Sequence, residues 1–260
     1  MDTLYFEKTG NIVKVRQGKS VYEIKRHTDE KINLDTWRIY SGEINNVSIW
    51  RGTDIEGPIK QTGTVDFIGG CHGDERYTQV NILLDGKVVG EQQDVSLTEG
   101  TCVVIFVKSD VYFCNNTEQV AFRRCKRLEF RERKLIVSNK WTYVGYETFD
   151  VECFTGCGLY SVYKDLLVGY STDYDSELVN DRGSELRPEI KTAYFYGENF
   201  VITLRMLTGK GKHYLGQVHD FAKESRPRFK AYLFGVGRGT GKYLMEQGEE
   251  LSASFEIEII

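Results

Sequence analysis

Short segments in which apolar and polar residues alternate run from one end of this 260-residue chain to the other. Residues 11–16, 36–40 and 47–51 are clear examples. A period of two is typical of strands with one buried face, and the 3.6-residue period of an amphipathic helix is almost absent. The Asp85-Gly86 pair between two such segments is typical of a tight β-hairpin. The sequence therefore predicts an all-β protein.

The length of the chain and the strand pattern together limit the architecture. A chain of this size buries a large core, and 40% of its residues are hydrophobic. The polar stretch at 171–188 is predicted as a long loop, and the residues after it are too few for a second sandwich. We therefore predict one domain over 1–260, a single large antiparallel β-sandwich of jelly-roll type with about 14 strands.

Charge and hydropathy narrow the classes of partner. The net charge of -4 argues against a nucleic-acid partner, and no window approaches the roughly 18 apolar residues of a membrane span. The charged N-terminus does not resemble a signal peptide, so the compartment stays unknown, and a virion-associated or extracellular place of work is compatible with it. A homo-oligomer is allowed by the composition.

The six cysteines do not form the spacings of a metal site. No C-x-x-C occurs, so we expect mostly reduced, buried thiols, no bound metal and no cofactor.

The first candidate site is the string Phe67-Ile-Gly-Gly-Cys-His-Gly-Asp-Glu75. Its glycines predict a sharply bent loop at the mouth of a cleft. His72 and Glu75 have H-x-x-E spacing, and the string resembles the GG-x-HG-x-E motif of the zinc carboxypeptidase and aspartoacylase superfamily. That resemblance implies a zinc hydrolase in which these two residues bind the metal. A tight turn with a solvated histidine is the structural alternative.

The second candidate site is the strand Lys212-His-Tyr-Leu-Gly-Gln-Val-His219. Strand geometry predicts that alternate residues share a face, which brings two histidines and a glutamine together. Neighbouring strands are expected to add basic and phenolic groups. The residues concerned are His213, Gln217 and His219 on one face, Lys212 and Tyr214 on the other, and Arg205, Tyr196, Lys230 and Tyr232 from the neighbouring strands.

Basic residues are concentrated in two regions. Residues 182–245 carry 12 Lys or Arg against 5 Asp or Glu, and residues 123–134 carry 7 against 2. A basic strip in an acidic molecule predicts local binding of an anion. Solvated outer strand faces with acidic neighbours are the alternative interpretation.

The strand pattern and the late cluster of His, Gln, Arg and Tyr resemble the jelly-roll polysaccharide lyases and the β-sandwich proteins of phage tails that bind polysaccharide. The lyase resemblance implies β-elimination of an anionic, uronic-acid polysaccharide without a cofactor. Arg205 and Gln217 would neutralise the carboxylate, and His213 or His72 would be the base. A tyrosine, Tyr214, Tyr196 or Tyr232, would be the acid. The residues His219, Tyr196, Lys230, Tyr232, Lys212 and Glu75 would bind substrate.

Two further functions stay open at the level of sequence. One is a non-catalytic carbohydrate- or receptor-binding module of a phage tail or cell surface. The other, ranked lower, is the zinc hydrolase. Convergence of a histidine, a tyrosine and an arginine or glutamine around one groove is what distinguishes the enzyme from the binding module.

Overall fold

The structure is a computed structural model. It describes residues 3–51, 55, 57–114, 116, 118–161, 167–171, 176–179, 185–187, 192–209, 215–220, 229–237 and 243–260. At 50–51, 155–161, 167–171, 176–179, 185–187, 193, 195, 215–220 and 229–237 it describes the backbone alone.

The described chain is built almost wholly from strands, which confirms the all-β prediction. The first half contains β1 (Leu4–Thr9), β2 (Ile12–Gln17), β3 (Ser20–Asp29), β4 (Leu34–Ile44), β5 (Val47–Arg51), β6 (Ile59–Gln61), β7 (Glu75–Leu84), β8 (Lys87–Val89), β9 (Val95–Gly100), β10 (Cys102–Tyr112) and β11 (Val120–Arg131). The second half contains β12 (Lys134–Tyr143), β13 (Phe149–Ser161), β14 (Leu167–Ser171), β15 (Ser176–Val179), β16 (Glu185–Arg187), β17 (Thr192–Tyr196), β18 (Val201–Gly209), β19 (Leu215–Asp220), β20 (Phe229–Gly237), β21 (Tyr243–Met245) and β22 (Glu250–Ile259).

The two helical elements of the described residues are 3-10 turns of three residues, Glu30–Ile32 and Gly70–His72. The strands outnumber the roughly 14 expected from pattern counting, because short pairing segments such as β6 and β16 have no recognisable alternation of their own. None of the described helices is long and apolar enough to cross a membrane.

A 16-stranded sheet contains most of the molecule. Its strands follow the order β15-β14-β17-β18-β22-β12-β11-β10-β7-β4-β3-β2-β1-β9, with β5 on β4 and β8 on β7. The pairs are antiparallel except β4 with β7, where Leu34 pairs with Glu75 in parallel. Tyr22 on β3 contacts Phe130 on β11 with ring centroids 5.2 Å apart, although three strands separate them in the sheet. The sheet therefore curls until its inner faces meet.

A smaller, six-stranded sheet packs against this curl. Its order is β16-β19-β20-β13-β21, with β6 paired to β13. Phe149 and Phe154 on β13 contact Phe122 and Trp141 of the large sheet at centroid distances of 4.8 and 6.3 Å. All four side chains are buried in one hydrophobic core, so the two sheets form a sandwich.

The stretch 171–188 is not wholly the loop that its polar composition predicts. Strands β15 and β16 lie within it, and Ser171 pairs with Ser176 across the β14–β15 hairpin. Pairing with a neighbouring strand overrides the weak strand propensity of these residues. The one-domain organisation of residues 1–260 stays a prediction.

Candidate functional site

A turn between β6 and β7 forms one wall of a cleft. It contains the 3-10 turn Gly70–His72, and Gly69 and Gly73 on either side have φ of 82° and 91°. A side chain at Gly69 would overlap the Trp141 ring, and one at Gly73 would overlap the carbonyl oxygen of Ile32. Both positions therefore require glycine, as expected for a sharply bent loop beside a cleft.

The turn is held from below by the carboxylate of Glu75, which is fully buried. Its Oε2 accepts hydrogen bonds from the backbone N–H of Gly70 and from Nη1 of Arg124, each at 2.7 Å. Its Oε1 accepts from the hydroxyl of Thr36 at 3.1 Å. One side chain thus connects the turn to three strands of the large sheet.

The guanidinium of Arg124 is also buried, and each of its three nitrogens donates a hydrogen bond. Its Nε and Nη2 donate to Oδ1 of Asn139 at 3.2 and 2.7 Å. It lies over the ring of Trp141, 4.6 Å from the centroid, and the same ring packs beneath Gly69. The cation, the aromatic ring and the turn therefore form one rigid unit.

The environment keeps Glu75 ionised. Burial alone raises the pKa of this carboxyl, but the charges of Arg124 and Lys126 and the N–H of Gly70 outweigh that effect. The net result lowers its pKa from 4.5 to about 2. This buried carboxylate therefore stays ionised, pairs with Arg124 and supports the turn.

The cleft itself has a volume of about 300 Å³. The ring of Phe67 contacts that of His72 with centroids 5.0 Å apart, and both rings are half-buried. Asn33 forms part of the floor: its Oδ1 accepts from Arg76, and its buried Nδ2 has no partner within the described part of the chain. The lining residues are Glu30, Lys31, Ile32, Asn33, Asp66, Phe67, His72, Asp74 and Cys114.

The cleft is acidic. Three carboxylates line it, those of Glu30, Asp66 and Asp74, against the single ammonium of Lys31. Burial and the charges of Asp74 and Asp66 raise the pKa of the Cys114 thiol, which is consistent with a negative potential. The cleft therefore disfavours anions and suits neutral or cationic ligands.

The predicted pair of His72 and Glu75 does not converge on one ligand. His72 lines the cleft, whereas the Glu75 carboxylate lies beneath the turn and pairs with Arg124. No group of three or more His, Cys, Asp or Glu among the described residues is arranged to hold a metal ion. The zinc assignment is corrected on this point: Glu75 supports the turn because a buried cation faces it, and it is not exposed to substrate.

The second candidate site divides between the two sheets. Arg205 lies on β18 of the large sheet, half-exposed and 3.9 Å from Glu256, and Tyr196 on β17 stacks on Tyr194 at 6.2 Å. The strand β18 pairs with β17 and β22, whereas β19 pairs with β16 and β20. For residues 215–219, the expectation that Arg205 lies on a neighbouring strand is therefore wrong, because β18 and β19 belong to different sheets.

Four residues of this candidate site do come together through the backbone. Gln217 pairs with Tyr232, and His219 pairs with Lys230, across β19 and β20 of the small sheet. The predicted base His213, the predicted acid Tyr214 and the predicted substrate ligand Lys212 lie outside the described residues. Their roles stay predictions.

Sequence reasoning did not identify three polar residues of the cleft, Asn33, Asp66 and Asp74, although Asp74 lies within the quoted string. Asn33 and Asp74 have φ of 49° and 51°, and Asp66 precedes the quoted string by one residue. The positions with positive φ bring the two walls together, since the N–H of Asp74 donates to the carbonyl of Ile32 at 2.7 Å. The signal in the sequence was an asparagine or aspartate beside a tight turn, because these residues adopt positive φ more readily than other non-glycine residues.

The five cysteines whose side chains the structure describes form no disulfide. Only Cys153 is buried; Cys71, Cys102, Cys114 and Cys125 are half-buried, so the expectation of mostly buried thiols is wrong for these four. They lie on loops and on strand faces that solvent partly reaches.

The sequence matches no protein-family model and no curated protein. Its structure resembles parts of several glycoside hydrolases. The GH36 alpha-galactosidase AgaB from Geobacillus stearothermophilus aligns with a TM-score of 0.61 and 10% identity, over 96% of this chain and 40% of that one. The galactosidase domain of the alpha-galactosidase-sucrose kinase AgaSK aligns at 0.58 and 8%, over 96% and 41%. A glycoside hydrolase family 97 enzyme from Pseudoalteromonas sp. strain K8 aligns at 0.54 and 9%, over 92% and 34%.

The chain thus spans two fifths or less of the length of most of these structures, and 41% of the AgaSK domain. At identities this low, the likeness establishes a shared fold and nothing about residues or chemistry. The fold of this protein is therefore one that recurs as a part of glycoside hydrolase chains.

Proposed function

We infer that this chain is a non-catalytic carbohydrate-binding β-sandwich and that it binds a neutral saccharide in the cleft beside His72. The observation that carries this proposal is the composition of the cleft. In about 300 Å³ it combines a half-buried aromatic pair, three carboxylates and the amide donor of Asn33, which has no partner among the described residues. The likeness of the fold to parts of glycoside hydrolases supports the same class of ligand.

Each type of group has a task in saccharide binding. The C–H face of a pyranose ring packs on an aromatic ring, which Phe67 offers together with His72. The hydroxyl groups of a sugar donate to carboxylates and accept from amides, which Asp66, Asp74 and Asn33 supply. The cleft volume is at the small end of ligand sites, so it suits one or two sugar units.

The charge of the cleft distinguishes between classes of saccharide. Three carboxylates against one ammonium would repel the uronic-acid polymer that the basic stretches suggested. The same charges tolerate neutral sugars and attract amino sugars. We therefore place neutral saccharides first and expect uronic-acid oligomers to bind least at this site.

Isothermal titration of the whole chain tests the proposal. The panel comprises galacto-, gluco- and manno-oligosaccharides, chitosan oligomers and oligogalacturonate. Phe67→Ala removes the stacking surface and is expected to weaken binding about tenfold. Tyr146→Ala is the matched control, because Tyr146 is 89% exposed and does not line the cleft. Equal affinities for both variants, or no binding of any neutral sugar, would contradict the proposal.

A second pair of variants tests the carboxylates. Asp66→Asn is expected to lower the affinity for neutral sugars several-fold and to lower that for chitosan oligomers more strongly, because one negative charge is lost. The control is Glu43→Gln, which removes an exposed carboxylate on β4 outside the cleft.

β-Elimination of an anionic polysaccharide is the second candidate function. The register that pairs Gln217 with Tyr232 and His219 with Lys230 favours it, because these residue types suit a uronic-acid chain. Incubation with uronic-acid polymers should then produce the ultraviolet absorbance of an unsaturated sugar. His213→Ala should abolish that signal and leave folding intact. If no polymer gave the signal and neutral sugars still bound, the lyase function would be excluded and the binding module would be the remaining candidate.

A further inference from the structure

A second cavity, of about 270 Å³, lies at one end of the sandwich, away from the His72 cleft. It opens between the two arms of the curled sheet, where the β2–β3 and β11–β12 turns approach the last residues of β22. Its walls are mostly apolar. The lining residues are Gln17, Gly18, Lys19, Ser20, Ile44, Arg133, Phe200, Ile259 and Ile260.

The amide of Gln17 distinguishes this cavity from an ordinary packing defect. Along β2 the residues Val13, Val15 and Gln17 alternate onto the inner face, and Gln17 is only 5% exposed. Neither its Oε1 nor its Nε2 has a hydrogen-bond partner among the residues that the structure describes. A buried amide with both atoms unpaired is costly, so a group that both donates and accepts is expected to reach it.

The rim of the cavity is cationic. Lys19 and Arg133 are exposed residues of the two turns at its mouth, and no carboxylate side chain lines it. Between rim and floor lie the buried side chains of Ile44, Phe200 and Ile259. The lining side chains therefore place two cationic groups at the mouth, apolar surface in the middle and an amide at the inner end.

We propose that this cavity binds a ring-sized monocarboxylate that carries a hydroxyl or amide group at the opposite end. The carboxylate lies at the mouth beside Lys19 and Arg133, where it stays partly hydrated. The apolar ring packs on Phe200 and its neighbours. The hydroxyl donates to Oε1 of Gln17 and accepts from its Nε2, which satisfies both orphaned atoms.

Titration of the whole chain with 4-hydroxybenzoate tests this arrangement. Phenol lacks the carboxylate and benzoate lacks the hydroxyl, so each is expected to bind about tenfold more weakly. In a ¹⁵N–¹H spectrum the side-chain amide resonance of Gln17 is expected to shift with saturation on addition of 4-hydroxybenzoate. This readout needs no variant. No saturable binding, or binding without a shift of that resonance, would overturn the proposal.

Variants provide an independent test. Gln17→Met keeps the length of the side chain and removes the amide, so the affinity for 4-hydroxybenzoate should fall to that of benzoate. Lys19→Met should weaken the binding of 4-hydroxybenzoate several-fold, whereas the matched control Lys14→Met, an exposed lysine of β2 outside the cavity, should not. Unchanged affinity of the Gln17 variant would refute the assignment. The Phe67→Ala variant should bind normally, so this test does not depend on the saccharide proposal.

Discussion

Two buried polar side chains in this molecule have opposite surroundings. Glu75 accepts hydrogen bonds from a turn, an arginine and a threonine hydroxyl, whereas Gln17 accepts and donates none among the described residues. The first kind of side chain fixes a loop that forms the wall of a cleft. The second lines a cavity with a donor and an acceptor that a ligand could pair. Satisfied and unsatisfied polar groups thus separate the parts of the protein that support a site from those that receive a ligand.

The largest expected effect comes from Glu75→Gln. Arg124 would remain buried without its counter-charge, so the free energy of unfolding should fall by roughly 3–5 kcal/mol. Urea unfolding, followed by the fluorescence of the buried Trp37 and Trp141, measures it. Adding Arg124→Met should restore part of the loss. A change as small as that of the surface control Glu43→Gln would show that the pair does not anchor the turn.

Acid is expected to act through the same carboxyl. The pKa of Glu75 is about 2 in the folded protein against an ordinary value of 4.5, so its stabilising contribution is complete above pH 4.5 and is lost as the pH falls towards 2. The loss should be on the order of 3 kcal/mol. Unfolding free energies across this range measure it, and Glu75→Gln should show a flatter profile. Parallel profiles for the two proteins would contradict the assignment.

Gly73→Ala should have an intermediate effect. The residue has φ of 91°, and a methyl group would overlap the Ile32 carbonyl, so a loss of roughly 1–3 kcal/mol is expected. Gly63→Ala is the matched control: its φ is 84°, but its methyl group would meet open space. Thermal unfolding should show the smaller loss for Gly63→Ala. Equal losses would mean that backbone conformation alone, and not the approach of the two cleft walls, constrains the turn.

Gln17→Met is expected to have the opposite sign. Removal of an unpaired buried amide should raise the free energy of unfolding of the ligand-free protein by about 1 kcal/mol. The exposed Gln79→Met provides the baseline. Destabilisation by the Gln17 variant would show that the amide has a partner in the free protein, and the contrast with Glu75 would then fail.

The smallest effect on stability is expected from Phe67→Ala. Its ring is only half-buried against His72, so the free energy of unfolding should change by less than about 1 kcal/mol, even though saccharide affinity falls. Chemical unfolding of the variant beside Tyr146→Ala measures the difference. A larger loss would identify the ring as part of the core and not of a ligand surface.

Local patterns predicted the fold class and the histidine turn, because both depend on near neighbours. Alternation identified the strands, and the glycines around His72 identified the bent loop. The partner of Glu75 was beyond reach, since Arg124 lies 49 residues further along the chain and only the sheet register brings the two together. The same holds for Asn33, which reaches the cleft through the parallel pairing of β4 with β7.

Which strands lie next to each other also could not be predicted from local sequence patterns. Arg205 and Gln217 are close in sequence, yet their strands belong to different sheets. Whether two successive strands form a hairpin or enter separate sheets is decided by which buried faces they cover, and the sequence between them does not encode it. The prediction of one catalytic cluster assumed that these strands are neighbours in one sheet. Because they are not, Arg205 and Gln217 lie in different sheets.

The position of β22 in the large sheet has a consequence for biosynthesis. Residues 250–259 lie between β12 and β18, so they join two stretches that leave the ribosome well before them. Until they emerge, β12 presents an edge whose backbone N–H and C=O groups have no partner strand and can pair with another chain. This part of the sheet therefore cannot form until β22 has been synthesised, and nascent chains that end before it should be captured by chaperones or aggregate.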